Sequence, residues 1–138
     1  LVYVVCLSGP WSSARAGALS RRYGSGVVVL AAALLMLAGA IAVAAPSLWI
    51  ALAGLLVFTA SFFALHSTAS GWVGLIAERD RAEASSMYVF CYYMGSSILG
   101  AATGWAYESL PWAGFVAVLA VMLGVLAVVS AALWRGAR

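Results

Sequence analysis

Long apolar runs separated by short polar breaks limit what this chain can fold into. Of its 138 residues, 66% are hydrophobic and only 8% are charged, whereas soluble domains carry about 25% charged residues. Polar groups cannot cover such a surface, so much of the chain must face lipid. Because a helix needs about 20 apolar residues to cross the hydrocarbon core, the runs predict an all-α membrane protein.

The apolar runs divide into five predicted transmembrane helices. Pro46 and Pro111 each lie in a break between runs, and proline is unfavourable inside a helix. The charged stretch 78–83 forms another break. The third run is longer than a bilayer requires, so we expect it to tilt or to extend into the interface. The predicted spans are residues 1–19, 27–45, 48–77, 84–107 and 112–134.

Arginines in the connecting segments predict the orientation of the chain. Those segments carry arginine after the first, third and fifth spans, but the Pro46 and Pro111 turns carry neither Lys nor Arg. Basic loops remain in the cytoplasm, so we expect a cytoplasmic C-terminus and Leu1 on the outer side. This bias explains the net charge of +3 without a nucleic-acid partner. The arginines concerned are Arg21, Arg22, Arg79, Arg81, Arg135 and Arg138.

The five spans differ in polarity. The second and fifth are almost purely aliphatic and are expected to be lipid-facing supports. The first, third and fourth carry Ser, Thr, Tyr, His and Gly. Polar groups at membrane depth are costly and normally face other helices or a water-filled cavity.

The third span contains the single histidine of the chain, His66. An ionisable residue at membrane depth suggests a functional site, and the ordinary pKa of histidine, about 6.5, suits proton exchange. A neutral His66 that only hydrogen-bonds a neighbouring helix is the alternative. Candidate residues of the substrate or proton pathway on this span are Thr59, Phe62, His66 and Ser70.

The fourth span has two polar faces. One consists of Tyr88, Tyr92, Ser96 and Thr103, which either line a cavity or hydrogen-bond a neighbouring helix. The other consists of Tyr93, Ser97, Gly100 and Gly104. Its GxxxG spacing favours close approach of two helices, so we expect a packing face.

Nothing in the sequence predicts an enzyme. It contains no nucleophile–base pair, no phosphate-binding loop and no metal-ligand spacing, so no cofactor and no metal are expected. Cys6 and Cys91 lie far apart in apolar segments. We interpret both as small buried residues.

The segment after the first span resembles the loop signature of the major facilitator superfamily, Gly-x-Leu-Ala-Asp-Arg-x-Gly-Arg-Arg. Arg21 replaces the family's Asp, and residues 25–26 replace the basic pair. Residues 62–67 and 92–97 are similar to bacterial multidrug- and sugar-efflux-type permeases. The residues that match the loop signature are Gly17, Leu19, Arg22 and Gly24.

This resemblance implies a secondary carrier in the bacterial cytoplasmic (inner) membrane. The five spans would be helices eight to twelve of a twelve-helix bundle, and the partners would be a small-molecule substrate, protons, the lipid bilayer and a missing N-terminal half. The first residue is Leu1 rather than Met, which suggests a fragment. The alternative is a non-transporting five-helix membrane subunit that acts as an assembly partner.

Overall fold

The computed structural model describes residues 8–77 and 79–136, and these residues form five α-helices without any strand. The predicted all-α fold is therefore confirmed. Leu1, Cys6 and Arg138, which entered the sequence predictions, lie outside the described residues. The helices are α1 (Ser8–Tyr23), α2 (Ser25–Val43), α3 (Leu48–Ile76), α4 (Arg81–Ser109) and α5 (Trp112–Gly136).

Three helices of the described chain, α2, α3 and α5, are long and apolar enough to cross a membrane. The described part of α1 has 16 residues, fewer than the roughly 20 that a bilayer requires. With 29 residues, α4 is long enough, but its tyrosines, serines and glycines make it less apolar. The assignment of α1 and α4 as spans stays a prediction.

Helix α2 lies at the centre of the described bundle, where it packs against α1, α3 and α5. Its buried face consists mainly of small residues, among them Ala32, Ala33 and Ala40. Leu34, Leu35 and Ile41 lie on the opposite, exposed face. The expectation that the second span is only a lipid-facing support is therefore wrong. Its small side chains allow three neighbours to approach one helix.

Two glycines form the closest helix crossing. A Cβ atom added to Gly39 would lie 2.8 Å from the Gly54 carbonyl oxygen and 2.8 Å from the Phe58 backbone nitrogen. A Cβ atom on Gly54 would lie 2.8 Å from the Ala42 Cβ. Only glycine fits at either position, because the obstructing atoms belong largely to backbone. Small residues give membrane helices this kind of contact.

Helix α4 packs more loosely, against α3 and α5, and Ala106 is its only residue recorded as buried. Nothing lies within 4 Å of a Cβ atom added to Gly100 or Gly104. The exposed Ser97 hydroxyl donates to the Tyr93 carbonyl oxygen of its own helix. These three residues therefore contact no second helix of the described chain. Their packing role stays a prediction about a surface that lies elsewhere.

A single residue, Gly24, joins α1 to α2. Its N–H donates to the Ser20 carbonyl oxygen at 2.9 Å, and its own carbonyl oxygen accepts from the Val28 N–H at 3.4 Å. Its φ of 88° and ψ of 147° are accessible almost only to glycine. The sequence predicted a connecting loop between the first two spans, at residues 20–26. Apart from Gly24, these residues are helical, so that prediction is wrong over most of its length. Arg21 and Arg22 lie in the last turn of α1, and Ser25 already begins α2.

Replacing Gly24 with alanine should destabilise the protein, because a Cβ atom disfavours this backbone conformation by about 1–3 kcal/mol. Gly17→Ala is the matched control from the same motif. Gly17 is helical, and only the Arg21 guanidinium tip lies near a Cβ added there. Thermal unfolding of the full-length protein in detergent measures both effects. Equal midpoints for the two variants would contradict the assigned conformation.

Candidate functional site

Four of the seven candidate pathway residues meet where α3 packs against α4. Phe62 and His66 are four residues apart on α3, and Tyr88 and Tyr92 are four residues apart on α4. Side chains at this spacing lie on one face of a helix. The two pairs contact each other across the helices. We call these four residues the His66 cluster.

A hydrogen-bonded pair holds the cluster together. The Tyr88 hydroxyl lies 3.0 Å from His66 Nδ1 and 3.3 Å from the His66 backbone carbonyl oxygen. A phenol both donates and accepts, and each imidazole nitrogen can do either according to its protonation. The geometry therefore suits a neutral imidazole, to which Tyr88 donates. It equally suits an imidazolium, which donates to Tyr88 while Tyr88 donates to the carbonyl.

Ring contacts complete the cluster. The His66 and Tyr92 ring centroids are 4.5 Å apart, with the rings tilted. The Phe62 ring is also stacked on His66, with centroids 5.9 Å apart and an interplanar angle of 12°. Such separations are typical of favourable aromatic contacts. The imidazole thus contacts both a phenyl and a phenol ring.

The cluster lies deep along the helices but is not sealed. His66 precedes the end of α3 at Ile76 by ten residues, or about 15 Å of helix at 1.5 Å per residue. That is about half the thickness of the hydrocarbon core. His66, Tyr88 and Tyr92 are each half-buried within the described chain. An ionisable group at this depth is a candidate for binding or proton exchange.

The remaining candidates lie outside the cluster. Thr59 is half-buried on α3, whereas Ser70 and Ser96 are exposed. No hydrogen bond or ring contact joins any of the three to His66 within the described chain. Ser70 and Ser96 each lie one turn beyond a cluster residue. Their role in a pathway stays a prediction.

The loop-motif residues and Cys91 differ from expectation in their local structure. Gly17, Leu19 and Arg22 are helical residues of α1, so only Gly24 has the conformation of a turn. Cys91 is exposed on α4 rather than buried. The reason is the loose packing of α4, which leaves most of its side chains without a neighbouring helix.

Sequence reasoning missed two contacts between helices and one charged residue. The Ser13 hydroxyl donates to the Phe63 carbonyl oxygen at 3.4 Å and so joins α1 to α3. The Gly39–Gly54 crossing could not be found, because sequence does not show which glycines face each other. Arg15 could have been found, because it is a charge inside the apolar first span and lines a groove between α1 and α2.

Relatives of the chain are bacterial transporters. The inner membrane transport protein YnfM of Escherichia coli is 43% identical over 135 residues, 98% of this chain and 32% of that protein. The MFS-type transporter YybF of Bacillus subtilis is 34% identical over 137 residues, 99% of this chain and 34% of that protein. A Buchnera aphidicola transporter is 36% identical over 120 residues, 87% of this chain and 29% of that protein.

The chain belongs to the major facilitator superfamily. It spans about a third of the length of the curated relatives that it matches. No family model and no solved structure matches it. YybF and YnfM are both named for transport, and YnfM is named for transport at the inner membrane. They do not favour the alternative of a five-helix assembly partner.

Two features of this chain are candidates for a functional role in a major facilitator transporter. The His66 cluster offers an ionisable ring between aromatic side chains at membrane depth. The α1–α2 corner carries the family-like motif that ends at Gly24. The cluster is the candidate functional site, since there an ionisable side chain at membrane depth meets polar side chains of a second helix.

Proposed function

We propose that this chain forms helices eight to twelve of a secondary transporter that moves a small solute across the bacterial inner membrane, with protons as the coupling ion. The transporter names of its relatives and the degenerate loop motif support this placement. The arginine bias supports a cytoplasmic C-terminus. The partners are the missing N-terminal half, the substrate and the lipid bilayer.

The contact between His66 and Tyr88 is the observation on which the proposal rests. One hydroxyl lies within hydrogen-bond distance of both Nδ1 and the backbone carbonyl oxygen of the same histidine. Both protonation states of the imidazole therefore keep a hydrogen bond without any movement of the helices. A buried polar group that lost its partner would cost about 1–3 kcal/mol. The pair thus lets a proton enter and leave at little structural cost.

No other titratable side chain of the described residues contacts His66. Helix α4 contributes Tyr88 and Tyr92, and neither α1 nor α2 places a charged group against the ring. A carboxylate would hold the proton on the imidazole, and an arginine would expel it. The rings in contact with the imidazole are those of Tyr88, Tyr92 and Phe62.

The aromatic rings also supply a surface for substrate. Tyr92 contacts Tyr93 with ring centroids 5.3 Å apart, which extends the aromatic surface along α4. Ring faces and hydroxyls together suit amphipathic solutes. Carriers of this kind bind substrate near the bilayer midplane and rock two bundles around it. One wall of such a site is what α3 and α4 provide.

Replacing Tyr88 with phenylalanine should shift the pH dependence of transport towards acid. The lost hydroxyl accepts a hydrogen bond from the imidazolium and donates one to the neutral ring, and the bond made by the charged group is the stronger. We expect the ratio of transport at pH about 5.5 to that at pH about 8 to change roughly threefold to tenfold. Uptake or efflux by the full-length protein in vesicles measures the ratio.

Tyr93→Phe is the matched control. It also removes one tyrosine hydroxyl from α4, at the residue that follows Tyr92. Tyr93 is 65% exposed and makes no hydrogen bond to His66. Its pH profile should match that of the unchanged protein. If Tyr88→Phe also keeps the original profile, the pair has no part in proton exchange.

A further inference from the structure

A groove of about 660 Å³ lies between α1, α2 and α3, away from the His66 cluster. Its volume is within the range of about 300–1,000 Å³ that is usual for ligand sites. The floor is apolar and is made mainly of alanine, valine and leucine side chains. These apolar residues are Ala16, Ala18, Leu19, Val27, Val28, Ala31, Ala32, Leu35, Ala60 and Ala64.

Two arginines of α1, Arg15 and Arg22, also line the groove. They are seven residues apart, which places them on one side of the helix about 10 Å from each other. Each guanidinium lies over an aromatic ring, Arg15 over Trp11 at 5.0 Å and Arg22 over Tyr23 at 5.1 Å. Within the described residues neither forms an ion pair with a carboxylate. Both side chains are exposed, so their charge is available to an external anion.

Ser61 adds a hydroxyl to the lining of the groove. It makes no hydrogen bond to any described residue, so its hydroxyl is available to a ligand that enters between α1 and α2.

We propose that this groove binds a membrane lipid with an anionic headgroup. The phosphate would lie against Arg15 and Arg22, and an acyl chain would cover the alanine-rich floor. Charge complementarity selects this occupant. An apolar helix in the groove would leave both guanidiniums uncompensated, and a small free anion would leave the apolar floor exposed. Basic pockets between membrane helices are known to hold such headgroups.

Trp11 provides a reporter for the test, because it lines the same groove. The full-length protein is placed in vesicles of phosphatidylcholine mixed with phosphatidylglycerol, and one lipid at a time carries brominated acyl chains that quench tryptophan. The difference between the unchanged protein and Trp11→Phe isolates the signal of the groove. We expect brominated phosphatidylglycerol to quench Trp11 in preference to brominated phosphatidylcholine.

Arg15→Gln and Arg22→Gln should each reduce this preference about fivefold, as expected for one arginine near a membrane surface. Arg15→Lys keeps the charge and should keep most of the preference, which separates charge from folding. Arg21→Gln is the matched control. Arg21 is adjacent to Arg22 and exposed, but it does not line the groove. Its variant should retain the preference.

Three results would overturn the proposal. Equal quenching by the two lipids would mean that protein fills the groove or that its charge recruits no lipid. An effect of Arg21→Gln as large as that of Arg22→Gln would show general attraction to the membrane surface. Loss of the preference on addition of millimolar inorganic phosphate would assign the arginines to a free anion.

Discussion

Gly39→Ala should destabilise the protein by about 1–3 kcal/mol, the usual cost of forcing extra volume into a well-packed region. The added Cβ would lie 2.8 Å from both the Gly54 carbonyl oxygen and the Phe58 backbone nitrogen, and 3.1 Å from the Phe58 Cα. All three atoms are backbone, so no side-chain rotation relieves the overlap. Helices α2 and α3 must separate, and the central contact of the bundle weakens.

Gly124→Ala is the control for this prediction. Gly124 lies within α5, and nothing occurs within 4 Å of a Cβ added there. Alanine is favoured over glycine inside a helix by about 1 kcal/mol, so this variant should be neutral or slightly stabilised. The unfolding midpoints of the two full-length variants in detergent give the comparison. Similar midpoints would mean that the Gly39–Gly54 crossing does not determine stability.

His66→Ala should reduce transport by at least tenfold and remove its dependence on pH. The substitution takes away the ionisable ring, leaves the Tyr88 hydroxyl without its side-chain partner and opens a gap between Phe62 and Tyr92. A tenfold change corresponds to about 1.4 kcal/mol, which is about the net contribution of one hydrogen bond. Initial rates of transport at several pH values, measured with the full-length protein in vesicles, test the expectation.

Two further variants separate the roles of His66. His66→Gln keeps a hydrogen-bonding side chain but cannot be protonated, so it should restore part of the rate without restoring the pH dependence. Leu75→Ala changes an exposed residue of the same helix that is not among the pathway candidates and should leave both unchanged. Unaltered transport by His66→Ala across the pH range would remove His66 from the pathway.

Hydropathy and proline placement were enough to predict an all-α fold. Within the described residues each predicted span overlaps a helix, because backbone polar groups in lipid must be satisfied within the segment. The shared face of Phe62 and His66 could also be predicted, since the two residues are four positions apart on one helix. What spacing could not supply was the partner, Tyr88, and the distance between them.

The failures have a common physical origin. Gly100 and Gly104 have the spacing that favours helix association, yet their surroundings within the described chain are empty. Gly39 and Gly54 lie in different helices, so no spacing in the sequence relates them. Close packing depends on which faces the tertiary fold brings together. A GxxxG motif shows that another helix can approach closely at that face. It does not show which helix does so.

The corner at Gly24 has a mechanical consequence. A long flexible loop can change its conformation when one helix moves, so that the next helix keeps its position. Here Gly24 is hydrogen-bonded through its N–H to Ser20 of α1 and through its carbonyl oxygen to Val28 of α2. The connection between α1 and α2 is therefore short and tightly bonded. A push on the end of α1 at Tyr23 is therefore transmitted directly to α2, and through the Gly39–Gly54 crossing to the helix that carries His66.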